Sequence, residues 1–181
     1  MTNLPLHPVV VHVPLGIAVI LPLVALGAAV AIWKRRWPWS AWAVVLGLQV
    51  LMAGSAALAL WSGEQEEERV EAVVNEAAIE QHEERAEAFF WAAGVLLLPS
   101  LGVLVLRREG ARRALSATVG AGALVLVGLA VWTGHSGGQL VYSHGAAAAY
   151  SSGGVSGAGG LGGGDSPAGG PGRRSLKDDD D

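Results

Sequence analysis

The sequence predicts an all-α integral membrane protein, a four-helix up-down bundle with a Gly- and Ser-rich tail, and three observations carry that prediction. Four stretches are long and apolar enough to cross a bilayer, tryptophans stand at many of their ends, and most bases gather in two short clusters between spans. The hydrophobic fraction of 51% over 181 residues exceeds what an ordinary soluble domain carries.

A hydrocarbon core of about 30 Å takes about 20 residues at 1.5 Å each. The first span runs from Val9 to Trp33. The residues before it lack the basic stretch of a secretory signal and the apolar run is too long for one, so this segment is expected to be retained. Lys34, Arg35 and Arg36 separate it from a second span, Trp42 to Trp61. The next loop, residues 62–88, is rich in Glu, with Arg69 and Arg85 its only bases. Within it Val70, Val73, Val74, Ala77, Ala78 and Gln81 or His82 recur at helical spacing, which predicts a short amphipathic helix at the bundle mouth. The third span, Phe89 to Leu106, is joined to the fourth, Ala114 to Thr133, through Arg107, Arg108, Arg112 and Arg113. The positive-inside rule puts both basic clusters in the cytoplasm, so the Glu-rich loop and both termini are expected outside. Residues 1–145 then form the membrane domain, and residues 146–181, closing on Lys177 and four aspartates, form a flexible low-complexity tail.

The absence of cysteine excludes disulfides, thiolate zinc sites, covalent c-type haem attachment and thiol catalysis. His82-Glu83 is followed by Glu84, Arg85 and Ala86, so the metalloprotease spacing HExxH is missing. Nothing resembles a nucleotide-binding loop, a serine triad or a nucleic-acid surface, and spans almost free of ionisable groups give transport little support.

The histidines carry the chemistry. With this topology His7 and His12 lie at the outer end of the first helix, His82 just before the third, and His135 and His144 at and beyond the outer end of the fourth. His12 is 22 positions from Lys34 and His135 is 22 from Arg113. Both therefore stand about 33 Å from the cytoplasmic charges and level with each other. The first and fourth helices of an up-down bundle are neighbours, so His12 and His135 can face each other across the interior. Gly16 and Gly128 leave room beside them, although small residues also serve ordinary helix contacts in membranes. Glu83, Tyr142 and Ser143 are the nearest candidates to orient a ligating ring. After His135, Gly137 and Gly138 are expected to turn the chain back, laying Leu140-Val141-Tyr142 over the mouth and returning His144 to the site.

Three segments resemble a known family: His7-Pro8-Val9-Val10-Val11-His12-Val13-Pro14-Leu15-Gly16, the pair His82-Glu83, and Gly134-His135-Ser136-Gly137-Gly138-Gln139-Leu140-Val141-Tyr142-Ser143-His144-Gly145. They are similar to the bacterial membrane family catalogued as domain of unknown function 2231, over roughly residues 5 to 145, with Val13 where similar sequences often carry an aromatic residue. The resemblance implies a multi-pass protein of the bacterial inner membrane, a redox role beside c-type cytochrome modules or another redox partner, and b-type haem. On that reading His12 and His135 are the axial ligands, and bis-imidazole ligation suits electron transfer more than stand-alone enzyme chemistry. Arg85 or Arg69 would neutralise the propionates, while His7, His82 and His144 hold a second haem or hydrogen-bond the first. A second reading is a non-haem metal site built from His12, His135 and His82 with Glu83. A third is a structural or assembly subunit of a redox complex whose histidines only tie the outer loops together.

Overall fold

A computed structural model describes residues 6–151, apart from the side chain of Ser151; the greater part of the expected tail lies outside the described residues. The described chain is helical and contains no strand. A single turn, α1 (His7–Val10), precedes α2 (His12–Trp33); a 3-10 turn (Trp39–Trp42) leads into α3 (Ala43–Glu64); then come the short α4 (Glu67–Glu71), the long α5 (Glu76–Val105) and α6 (Glu109–Tyr142), and a last turn, α7 (Ala148–Ser151). Four of these units are long and apolar enough to cross a membrane. Helix α2 packs on α3 and α6, and α5 packs on the same two, so the chain runs up and down around a square that α6 closes against α2. One end of the bundle bears Lys34–Arg36 and Arg107–Arg113, the basic end; the other bears the glutamates of residues 64–87, the acidic end.

Alanine dominates the central seam, with Ala18, Ala25, Ala29, Ala56, Ala93, Ala123 and Ala130 all buried. In lipid, helices associate by close packing and not by escape from water, and small side chains allow it. Between α5 and α6 the approach is closer still: a Cβ on Gly102 would stand 2.8 Å from Leu115, and one on Gly122 would run into Leu96. Two indoles join the halves near the basic end, Trp42 Nε1 donating to Ser100 Oγ at 2.9 Å and Trp33 Nε1 to Ser116 Oγ at 3.2 Å. Arg112 closes the end of α5 by donating to the carbonyls of Val103 and Leu104, which satisfies acceptors that a helix terminus leaves open.

The four spans stand where the sequence put them, but two helices outrun their apolar windows. α5 begins at Glu76 and not at Phe89, because Asn75 caps it by accepting from the Ala77 amide at 2.9 Å. The expected amphipathic helix is thereby split: its first part is α4 and its second part the opening turns of α5. α6 runs through Gly137 and Gly138 to Tyr142, so the chain does not turn back there. The reversal comes at Gly145, whose φ of 76° lies in the left-handed region.

The two helical hairpins repeat each other at an offset of 71 residues. Leu58-Ala59-Leu60-Trp61-Ser62-Gly63 near the end of α3 recurs as Leu129-Ala130-Val131-Trp132-Thr133-Gly134 in α6. Burial keeps the same register: Ala18 and Phe89, Ala25 and Leu96, Ile32 and Val103, Val45 and Ser116, Ala59 and Ala130, and Ser62 and Thr133 are pairs at that offset, and every member is buried. Each half is therefore one hairpin, α2 with α3 and α5 with α6, presenting the same face to the centre.

Candidate functional site

At the acidic end each half contributes one histidine to a shared pocket. His7 sits on α1, where Pro8 begins the turn; a proline without an N–H suits a first helical position. Val11 keeps helical dihedrals between this turn and α2, and the turn packs on α3, which brings His7 there. Its Nδ1 is 2.9 Å from the Ala59 carbonyl and 3.2 Å from Ser62 Oγ. A carbonyl only accepts, so Nδ1 carries the proton. His82 lies on the polar extension of α5, with Nδ1 2.9 Å from Ser136 Oγ. Ser136 spends its own proton on the Thr133 carbonyl at 2.8 Å, so it accepts from His82 and the same tautomer follows. Neither Nε2 has a hydrogen-bond partner among the described residues, which leaves both lone pairs available.

Glycine makes room for both rings. A Cβ on Gly63 would lie 3.3 Å from Cε1 of His7, and one on Gly137 would lie 3.1 Å from Cε1 of His82. The ring centres stand 6.4 Å apart with their planes at 88°. Around them is a cavity of about 350 Å³ whose wall includes Glu64, Glu66, Glu67, Glu83 and Glu87, with Leu60, Ile79 and Leu140 as apolar elements.

The segment after Gly145 folds over this pocket. Ala146 is buried with Val74 and Ile79, and the Tyr150 hydroxyl donates to Glu66. The other Glu66 oxygen accepts from the backbone N–H of His7 at 3.4 Å. Arg69 stands over the Tyr150 ring at 5.8 Å. Burial, reinforced by the bond to Glu66, pushes the Tyr150 hydroxyl up to about 12. The covering element is thus residues 145–151 and not Leu140-Val141-Tyr142, and His144 stays exposed.

The other expected site residues are placed as follows. His12 and His135 lie on neighbouring helices, as the topology requires, but both side chains are exposed. Among the described residues no three His, Cys, Asp or Glu side chains stand close enough together to hold a metal ion. The groups orienting His7 and His82 are Ser62, the Ala59 carbonyl and Ser136, in place of the expected Glu83, Tyr142 and Ser143. Arg85 stacks on Trp132 at 4.8 Å, and its carbonyl accepts from Thr133 Oγ1 at 3.0 Å. A signal for the site was present in the sequence as Ser-Gly steps near the ends of two apolar stretches, Ser62-Gly63 and Ser136-Gly137.

Fold and site together define a four-helix membrane bundle with a paired-imidazole pocket at its acidic end. The profile of the family described as "Predicted membrane protein (DUF2231)" matches residues 3–149, and the chain belongs to that family. No curated protein and no solved structure matches it.

Proposed function

We propose that His7 and His82 hold a redox metal centre through Nε2, that b-type haem is the form this pair suits, and that the protein passes electrons at the acidic end of the bundle. The observation that carries the reading is the pair itself, with ring centres 6.4 Å apart, planes perpendicular and both Nδ1–H groups engaged. Two imidazoles that share one metal would have ring centres up to roughly 6 Å apart, each metal–nitrogen bond being about 2.0–2.1 Å with half a ring beyond it. A ligating histidine normally donates its other N–H to a carbonyl, carboxylate or similar group, which fixes the tautomer and raises the basicity of the ligand. Ser136, and the Ala59 carbonyl with Ser62, do this here.

His7 and His82 would hold the haem, which would supply one-electron chemistry. Gly63 and Gly137 keep the rings upright by leaving space at their edges. The carboxylates of the wall stabilise the oxidised, more positive state and steer a basic redox partner, such as a c-type cytochrome, toward the mouth. By the positive-inside rule this end faces out of the cytoplasm of a bacterial inner membrane. The ligand pair proposed here replaces His12 and His135, whose exposed rings lack such partners.

A second reading is a non-haem metal ion held by the same two rings, since the carboxylate-rich wall repels the anionic propionates of haem. Reduced-minus-oxidised spectra, pyridine haemochrome quantification and metal analysis of the detergent-purified protein separate the two. Low-spin b-type bands lost in His7→Ala and His82→Ala, and kept in His12→Ala and His135→Ala, are expected. The opposite pattern would remove the pair assigned here. One equivalent of metal without haem favours the second reading, and neither cofactor leaves a structural subunit.

A further inference from the structure

At the basic end the chain leaves α2 through Lys34–Pro38 before the 3-10 turn begins. Pro38 is extended, with ψ 157°, and leads into that turn. Beside it lies a groove of about 680 Å³, almost wholly apolar, on the outside of the bundle. Leu23, Gly27 and Ala31 form its floor as one row along α2, and Trp37, Pro38 and Val44 form the facing wall. Nothing stands within 4 Å of the position a Cβ on Gly27 would take. The floor from Leu23 to Ala31 is about 12 Å long at 1.5 Å per residue, enough for a good part of one acyl chain.

Three exposed cations stand where the groove meets the end of the helix. Arg35, with φ 56°, reaches only Glu109 at 3.8 Å, and Lys34 and Arg36 have no ion-pair partner among the described residues. Trp37, 54% exposed, follows these charges in the chain and lines the slot; an indole of this kind settles at headgroup level. An apolar slot whose lining residues Ala31 and Trp37 bracket Lys34 and Arg36, exposed and without an ion-pair partner among the described residues, is complementary to a molecule with an apolar tail and a negative head.

We propose that this groove is a selective site for an anionic phospholipid, one acyl chain lying along Leu23, Gly27 and Ala31 and its phosphate held by Lys34 and Arg36. The site is separate from the histidine pocket and does not depend on the redox reading. Native mass spectrometry of the purified full-length protein, titrated with phosphatidylglycerol or with phosphatidylcholine of the same chains, tests it. Wild type is expected to retain phosphatidylglycerol in preference, each cation contributing about fivefold. The double variant Lys34→Gln, Arg36→Gln removes the preference, whereas Arg107→Gln, Arg108→Gln, at the same end of the bundle, keeps it. Gly27→Leu, which fills open space and should fold, lowers retention of both lipids. Equal binding of the two lipids by wild type, equal losses in the two double variants, or unchanged retention in Gly27→Leu would overturn the proposal.

Discussion

The two hairpins share a register and a central face, yet they end differently at the acidic side. In the first half α3 stops at Glu64, and a single histidine on α1, the opening turn of the first span, meets it. In the second half α5 starts at Glu76 and α6 runs to Tyr142, so a polar stem of paired helix stands beyond the apolar windows and carries His82 and Ser136. The repeated part builds the membrane bundle and supplies the partners of His7 on α3, while His82 and Ser136 come from the part that departs from the repeat. Position 122 shows the same division: Gly122 lies tight between α5 and α6, while Leu51, its counterpart 71 residues earlier, is exposed.

Substitutions at matched positions of the halves sharpen this comparison. The largest effect is expected at Gly122→Leu, where the new side chain meets Leu96. Overpacking of this kind should cost about 3 kcal/mol, read as a fall in the denaturant midpoint of the detergent-solubilised bundle; Leu51→Gly should change it far less. Next is the serine pair. Ser136→Ala takes from His82 its side-chain partner and should weaken cofactor retention about 10–100-fold, whereas Ser62→Ala leaves His7 bonded to the Ala59 carbonyl and should cost much less. Equal losses in the two variants would show that the rings are not held as described. Smaller again is the glycine pair: Gly137→Ala places a methyl 3.1 Å from the His82 ring and should perturb the absorption or redox potential of the site more than Gly63→Ala at 3.3 Å.

The weakest expected effect lies in the segment covering the pocket. Tyr150→Phe removes the bond to Glu66 and should speed amide exchange in residues 145–151 with little change elsewhere. Because Tyr150 is raised to about 12 in the folded protein, from an ordinary value of about 10, its contribution is fully present below about pH 10 and lost as pH rises through about 12. Protection, taken relative to the base-catalysed intrinsic rate, that falls well below pH 10 in wild type and not in Tyr150→Phe would contradict that assignment.

Spans, ends and the grouping of termini at one side were legible because bilayer thickness and charge act on sequence directly. The rotation of each helix was not. Lipid and core are both apolar, so α2 is hydrophobic all round and no amphipathic stripe says whether His12 points in or out. The polar first turns of α5 read as loop because hydropathy reports the bilayer and not the helix; only the Asn75 cap marks the true start. Gly137-Gly138 read as a break because glycine weakens a helix locally, yet α6 runs through them to Tyr142. His7 was visible as a histidine but not as half of a pair, since its partner sits 75 positions away and is reached only through the tertiary fold.

The 71-residue offset also bears on the order of assembly in the membrane. Within each half the long helices are neighbours in sequence, joined at the basic end by residues 34–38 and 106–108. Each can close as a hairpin as soon as both its helices have entered the bilayer. The contacts between halves, Trp33 with Ser116 and Trp42 with Ser100, span 83 and 58 residues and must wait for lateral docking. Until then each hairpin shows lipid a largely alanine face, which hydrocarbon tolerates well. Insertion can therefore proceed pair by pair, with the histidine pocket completed as its last event.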